Sequence, residues 1–164
     1  MRVTGYGVIY NSSGIIRYEA SGVIKTTNQD TNLASRIKII LLGLEEVIDQ
    51  FKPDCVAIEK VFVNTNPQST LLLGQARGAA ISAAVMQNLD VFEYTALQVK
   101  KSVVGMGHAS KSQVQIMVQK LLNLPSIPSS DSADALACSI CHANISGSIA
   151  KFGTGNRMKS GRII

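Results

Sequence analysis

CVAIE, residues 55–59, is a short continuous apolar run that closes on a carboxylate. A run of this kind suits a central strand buried on both faces, since neither side of the pleat is reserved for water. Glu59 then falls at the strand tip, where a carboxylate needs either solvent or a partner. Open α/β sheets place their chemistry at such strand ends. The stretch therefore points to an α/β fold with a functional edge near Glu59.

Working toward the N-terminus, VTGYGVIYNSSGIIRYEASGVIKT (3–26) reads as a hairpin of two β-rich runs around the turn signal Asn11-Ser12-Ser13-Gly14. A helical period follows from about Asn32. Leu33, Ile37, Ile40, Leu44, Val47 or Ile48 and Phe51 recur three or four residues apart, with Asp30 and Thr31 as polar caps ahead of them. That helix ends near Lys52-Pro53.

Toward the C-terminus, the polar loop NTNPQS leads into TLLLGQARGAAISAAVMQ. This is a small-residue helix in which Gly74, Gly78, Ala79 and Ala83 are expected to permit close packing. VFEYT (91–95) supplies another strand. ALQVKKSVVG and SQVQIMVQKLL read as helices joined by the glycine-rich turn GMGHAS. Two prolines in NLPSIPSS break the chain before a last helix that begins near Asp131. On it, Asp131 and Asp134 lie one turn apart and share a face. The reading gives one domain over residues 1–145, and a basic, glycine-rich, flexible tail over 146–164.

With 164 residues, 46% of them hydrophobic and 16% charged, the chain suits a compact globule rather than a disordered one. No apolar run approaches the roughly 18–20 residues that span a bilayer, and the first residues do not resemble a signal peptide. The expectation is a cytoplasmic protein with no membrane association. The net charge of +5 is unevenly spread. Residues 95–164 hold eight basic side chains (Lys100, Lys101, Lys111, Lys120, Lys151, Arg157, Lys159 and Arg162) against two acids, Asp131 and Asp134. A basic half suggests a polyanionic partner, with nucleic acid the usual one. Two carboxylates alone in that field make sense where a metal ion offsets them beside a phosphate; a helix N-terminal Asp pair beside a solvated basic face is the alternative. Glu59, Asp131 and Asp134 together form a plausible acidic cluster for Mg²⁺, and two such ions can drive phosphodiester hydrolysis.

A competing signature overlaps the Asp pair. Cys138, Cys141 and His142 spell C-x-x-C-H, the haem-attachment pattern. The pattern sits inside the apolar helical stretch ADALACSICHANI, nothing provides for export, and no second ligand pair supports zinc. These side chains read as helix packing, with no haem expected.

The segments RVTGYGVI, AIEKVF, LGQARG, FEY, QVK, VVG with KSQVQ, and DSADALA occur in an order that resembles the RuvC family of bacterial Holliday junction resolvases. The resemblance runs from Arg2 to about Ala143. It implies an RNase H-like α/β fold, a mixed five-stranded sheet flanked by helices, and a homodimer acting on four-way junction DNA in recombination and repair. It also implies paired Mg²⁺-dependent nicks, with two ions per site and Mn²⁺ as a substitute, and partnership with the branch-migration proteins RuvA and RuvB. Glu59 matches the family's strand-end glutamate, while Asp131 and Asp134 match its C-terminal metal-binding acids. Phe62 matches an aromatic that distorts or stacks on junction bases. Lys100 and Lys111 match basic residues near the scissile phosphate. Arg77 lies in the G-Q-A-R-G block, where backbone or phosphate contact is expected, and His108 reads as an ordinary loop residue.

One departure stands out. The family pattern begins with a strand ending in G-I-D-P-G, immediately before the RVTGYG block, and its aspartate is the fourth member of the acidic cluster. Here Met1 stands where that motif should already have passed. The central strand is thus expected to be missing, leaving CVAIE without a neighbour. Either a miscalled start hides a complete site, or the chain is a non-catalytic junction-binding relative. Under the first reading, Asp131→Asn abolishes cutting and spares binding.

Overall fold

The computed structural model describes residues 3–26, 32–62, 66–152 and 161–164. The hairpin forms as expected. Strand β1 (Val3–Ser12) pairs antiparallel with β2 (Ile15–Lys25) along its whole length, with a bulge at Val8/Ile9. The two-residue turn has both φ angles positive, 53° at Ser13 and 89° at Gly14. Such a turn matches the twist of the flanking strands. Helix α1 (Leu33–Phe51) is capped by Asn32, whose Oδ1 accepts from the Ser35 N–H at 2.8 Å. The expected caps Asp30 and Thr31 lie outside the described residues. Lys52, at φ 47°, ends the helix in the left-handed region.

CVAIE is strand β3 (Cys55–Glu59), and β4 (Asp90–Tyr94) pairs parallel to it over all five residues. Between them runs α2 (Pro67–Met86), capped by Asn66. Its close packing falls to Ala76, Ala79, Ala83 and Ala84, which are buried. A Cβ at Gly74 or Gly78 would meet nothing within 4 Å, so those two glycines do not serve the helix contact expected of them. Helices α3 (Ala96–Val104) and α4 (Lys111–Leu121) each open with a complete capping box, Thr95 with Gln98 and Ser110 with Gln113. Helix α5 spans Ser130–Phe152.

The largest difference from expectation is at the C-terminus. The last helix continues past residue 146 to Phe152, and Gly161–Ile163 form a fifth strand, β5. The sheet order is β2-β1-β5-β3-β4. β5 runs antiparallel to β1 and parallel to β3, so it lies between them, where CVAIE was expected to lack a neighbour. The physical reason is the buried ladder. The Asp54 N–H donates to Arg162 O at 2.8 Å, Ala57 N–H to Ile164 O at 2.8 Å and Ile164 N–H to Cys55 O at 3.2 Å. Asp54 Oδ2 also accepts from the Arg162 N–H at 2.7 Å, and Arg162 Nε donates to Glu19 Oε2 at 2.6 Å. Residues 161–164 are therefore part of the sheet rather than of a tail.

Two cores lie on opposite faces of this sheet. Val8, Val56 and Ile164 face α1 and α2, while Ile9, Cys55, Ala57 and Ile163 face α3, α4 and α5. The alternation along β1, β3 and β5 is what the pleat requires of strands buried on both sides.

The C-x-x-C-H residues are packed into the second core. Cys138, Cys141 and His142 are all buried, and burial raises the thiols of Cys138 and Cys141. His142 Nδ1 is hydrogen-bonded to Tyr94 Oη at 2.7 Å, its Nε2 lies 3.5 Å from Cys55 Sγ, and Phe92 stacks against the ring at 4.3 Å. Burial lowers the imidazole's pKa, so the fold holds it neutral. As pH falls through the unfolded value of ~6.5, the unfolded chain takes up a proton that the folded chain refuses until its own lower pKa. Stability should therefore fall across that window. His142→Phe is expected to cost about 1–3 kcal/mol at neutral pH by leaving the Tyr94 hydroxyl without a partner. It should also flatten the acid slope; thermal unfolding of both proteins between pH 5 and 7.5 would check this, and an unchanged slope would refute it.

Candidate active site

Strand direction brings the acids together. β3 and β4 run parallel and β1 runs against them, so Glu59 shares a sheet edge with the start of β1. Helix α5 starts over that same edge. A Cβ on Gly5 would overlap the Asp131 carbonyl, and one on Gly7 would lie 2.6 Å from Leu136 Cγ, so the helix lies directly on the β1 backbone. Ser132 Oγ donates to Gly22 O at 3.2 Å and Ser139 Oγ to Gly7 O at 3.0 Å, which fixes the helix along the hairpin. Asp131 sits in the first turn of α5, where a carboxylate meets the positive helix end. Asp134 lies one turn on.

Glu59, Asp131 and Asp134 line one cavity of about 490 Å³, together with Phe62 and Arg77. The electrostatics show that the acids feel one another. The Glu59 carboxyl is raised by partial burial and by Asp134, and lowered by Lys100 and Lys111. Asp134 is raised by partial burial, lowered by Lys111, raised by Asp131 and lowered by Lys100. The five groups thus form one charge system. Lys111 is the first residue of α4, where a cation opposes the helix dipole. The facing acids offset that cost.

Phe62 follows the edge and is 64% exposed, an aromatic face open to a ligand. Arg77 is half-buried on α2 and ion-paired with Glu93, while its Nε has no hydrogen-bond partner. The pairing with Glu93 carried no sequence signal, because the two residues lie on different elements 16 positions apart. His108 is exposed in the α3–α4 turn.

The carboxylates suit a hard divalent cation, which takes oxygen ligands and is commonly held by one or two carboxylates plus water and phosphate oxygens. Glu59 and Asp134 have this character, since Glu59 is penalised by the charge of Asp134 and Asp134 by that of Asp131. Among the described residues, no group of three or more His, Cys, Asp or Glu side chains closes on a metal position. The arrangement fits a cation completed by substrate oxygens rather than a closed protein cage.

A mixed five-stranded sheet, helices on both faces and acids at the carboxyl edge of its parallel strands define an RNase H-like α/β protein. The solved structure of Thermus thermophilus RuvC in complex with a Holliday junction substrate superimposes with a TM-score of 0.77 at 29% identity, covering 90% of this chain and 96% of that one. The Thermus thermophilus RuvC structure matches with a TM-score of 0.77 at 31% identity, covering 96% and 94%. Crossover junction endodeoxyribonuclease RuvC of Methylobacillus flagellatus is 60% identical, covering all of this chain and 94% of the relative. That of an Azoarcus species is 57% identical, covering all of this chain and 89% of the relative. Residues 1–142 match the family described as crossover junction endodeoxyribonuclease RuvC. The chain belongs to the RuvC family.

Proposed function

We propose that the chain binds four-way DNA junctions and nicks them at the edge formed by Glu59, Asp131 and Asp134. The observation that carries this reading is that Glu59, Asp131 and Asp134 line one cavity, with Lys100 and Lys111 close enough to lower the carboxyls of Glu59 and Asp134, in a member of a nuclease family. Acids alone would repel a phosphate, and lysines alone would only bind one. The combination can hold a cation and a phosphodiester at the same point.

Glu59 and Asp134 would hold Mg²⁺, with Asp131 positioned to take part and Mn²⁺ a candidate substitute. When bound, the metal lowers the pKa of a water and offsets charge on the leaving oxygen. Lys100 and Lys111 neutralise the phosphate and draw it toward the acids. Phe62 offers a ring for stacking on an unpaired base, which typically contributes ~1–3 kcal/mol. Freed from Glu93, Arg77 could also reach a phosphate. A homodimer would present two such sites for paired nicks, and RuvA and RuvB are the partners the family reading suggests.

A second reading keeps junction binding without cutting. It is favoured by the absence, among the described residues, of three converging ligands, and by β5 holding the central sheet position. Incubating the purified chain with a labelled four-way junction in Mg²⁺, Mn²⁺ or EDTA separates the two. Cation-dependent nicks support the nuclease. Salt-sensitive binding with no product under any cation would leave only the binder. If the chain cuts, Lys111→Ala is expected to slow single-turnover cutting by ~10–10²-fold while far-UV CD stays unchanged. A rate equal to the parent's would remove Lys111 from the site.

A further inference from the structure

The turn from α3 to α4 brings apolar and cationic side chains to one exposed corner. Leu97, in the first turn of α3, is 52% exposed, and Met106, just past that helix, is 56% exposed. The chain folds back here: a Cβ on Gly107 would come within 3.0 Å of Leu97 Cγ, so the residue after Met106 lies against the Leu97 side chain. The charge around this pair has one sign. Lys100 and Lys101 follow Leu97 by three and four positions, which places all three on one side of α3. Lys111 opens α4, and residues 95–130 include no acidic side chain. Lys100 and Lys111 also lower the carboxyls of Glu59 and Asp134, so the corner adjoins the candidate active site.

Lysines answer to phosphate, but leucine and methionine do not. What an apolar pair can meet on a nucleic acid is a base or a deoxyribose. In a continuous duplex the base faces are covered by stacking; at a branch point the stacks are interrupted and those faces open. We infer that Leu97 and Met106 form an apolar wedge that packs on bases at the branch point of junction DNA, with Lys100, Lys101 and Lys111 on the flanking phosphates. The inference rests on the junction reading given above and adds a division of labour to it. The lysines supply affinity for any duplex, which falls with salt. The wedge supplies preference for branched over linear DNA, and does so without charge. Charge complementarity selects nucleic acid over a second copy of the chain, whose matching corner would set the same three lysines against these.

The double variant Leu97→Gln, Met106→Gln tests this in EDTA, by fluorescence anisotropy against a four-way junction and a linear duplex of the same arm sequence. Both positions are exposed, so thermal unfolding should match that of the parent. The variant should lose about tenfold in junction affinity while keeping its duplex affinity and its salt slope. Lys101→Gln should weaken both DNAs alike and lower the slope by about 1. Leu97→Met, which keeps an apolar side chain, should behave as the parent. 2-Aminopurine at the branch point should brighten when the parent binds and stay dim with the double variant. If the double variant prefers the junction as strongly as the parent does, the wedge is refuted while the junction reading stands. An equal loss on linear duplex would make the pair a general DNA contact and overturn it too. If the parent itself shows no preference for the junction, the junction reading fails and the wedge falls with it. Self-association lost in the double variant by sedimentation, with junction preference intact, would place a second copy on this corner and overturn the inference.

Discussion

Asp134→Asn is expected to reduce junction cutting by ~10³-fold or more while raising the melting temperature of the metal-free protein. The first effect follows from the role proposed above for Asp134, as a ligand whose charge the reaction needs. The second follows from the electrostatics of the fold. Asp134 and Glu59 are both partly stripped of water, and the charge of Asp134 raises Glu59 while that of Asp131 raises Asp134. Their folded forms hold protons more tightly than the unfolded chain does. Stability without metal is therefore greatest below the ordinary carboxyl pKa and declines as pH rises through the raised values. At neutral pH the full penalty is present, and an amide at position 134 removes one side of it. In a domain of this size ~1 kcal/mol corresponds to roughly 2–4 °C. Thermal unfolding in EDTA at pH 7 and single-turnover cutting of a labelled junction would check both halves. Junction binding in EDTA should strengthen, since one fewer anion faces the phosphates. A variant that melts lower and still cuts would mean that Asp134 is a structural residue.

Where most of the candidate residues lie was legible, because they sit where local pattern is strong. CVAIE gave β3 and put Glu59 at its tip, and the D-x-x-D spacing put Asp131 and Asp134 on one face of a helix. What no local pattern could show was that α5 starts over the β1 edge. That depends on Gly5 and Gly7, two residues that read only as part of a β-rich run. The C-terminal strand was illegible for a related reason. Gly161–Ile163 is a strand of only three residues, too short for a period, and its place depends on a ladder with Asp54, Cys55 and Ala57 more than 100 positions away. The buried His142–Tyr94 bond was hidden the same way, although a histidine in an apolar helix was a hint that a partner was needed.

Gly5→Val should be the most damaging single change to the fold. Any Cβ at position 5 would overlap the Asp131 carbonyl and press within 3.1 Å of the Ser132 N–H. Both are backbone atoms in the first turn of α5, so no side chain can turn aside to make room. The helix must lift, which breaks the 3.2 Å bond from Ser132 Oγ to Gly22 O and carries Asp131 and Asp134 away from Glu59. A loss of about 3 kcal/mol or more is expected, at the upper end for overpacked cores. Gly5→Ala should lie between this and the parent. Gly74→Ala supplies the opposite sign. It adds a methyl in open space within a helix and should stabilise by ~0.5–1 kcal/mol through helix propensity. Urea unfolding of the three variants would rank them. If Gly5→Val proved no less stable than Gly74→Ala, the close approach of α5 to β1, and with it the placement of the acids, would be wrong.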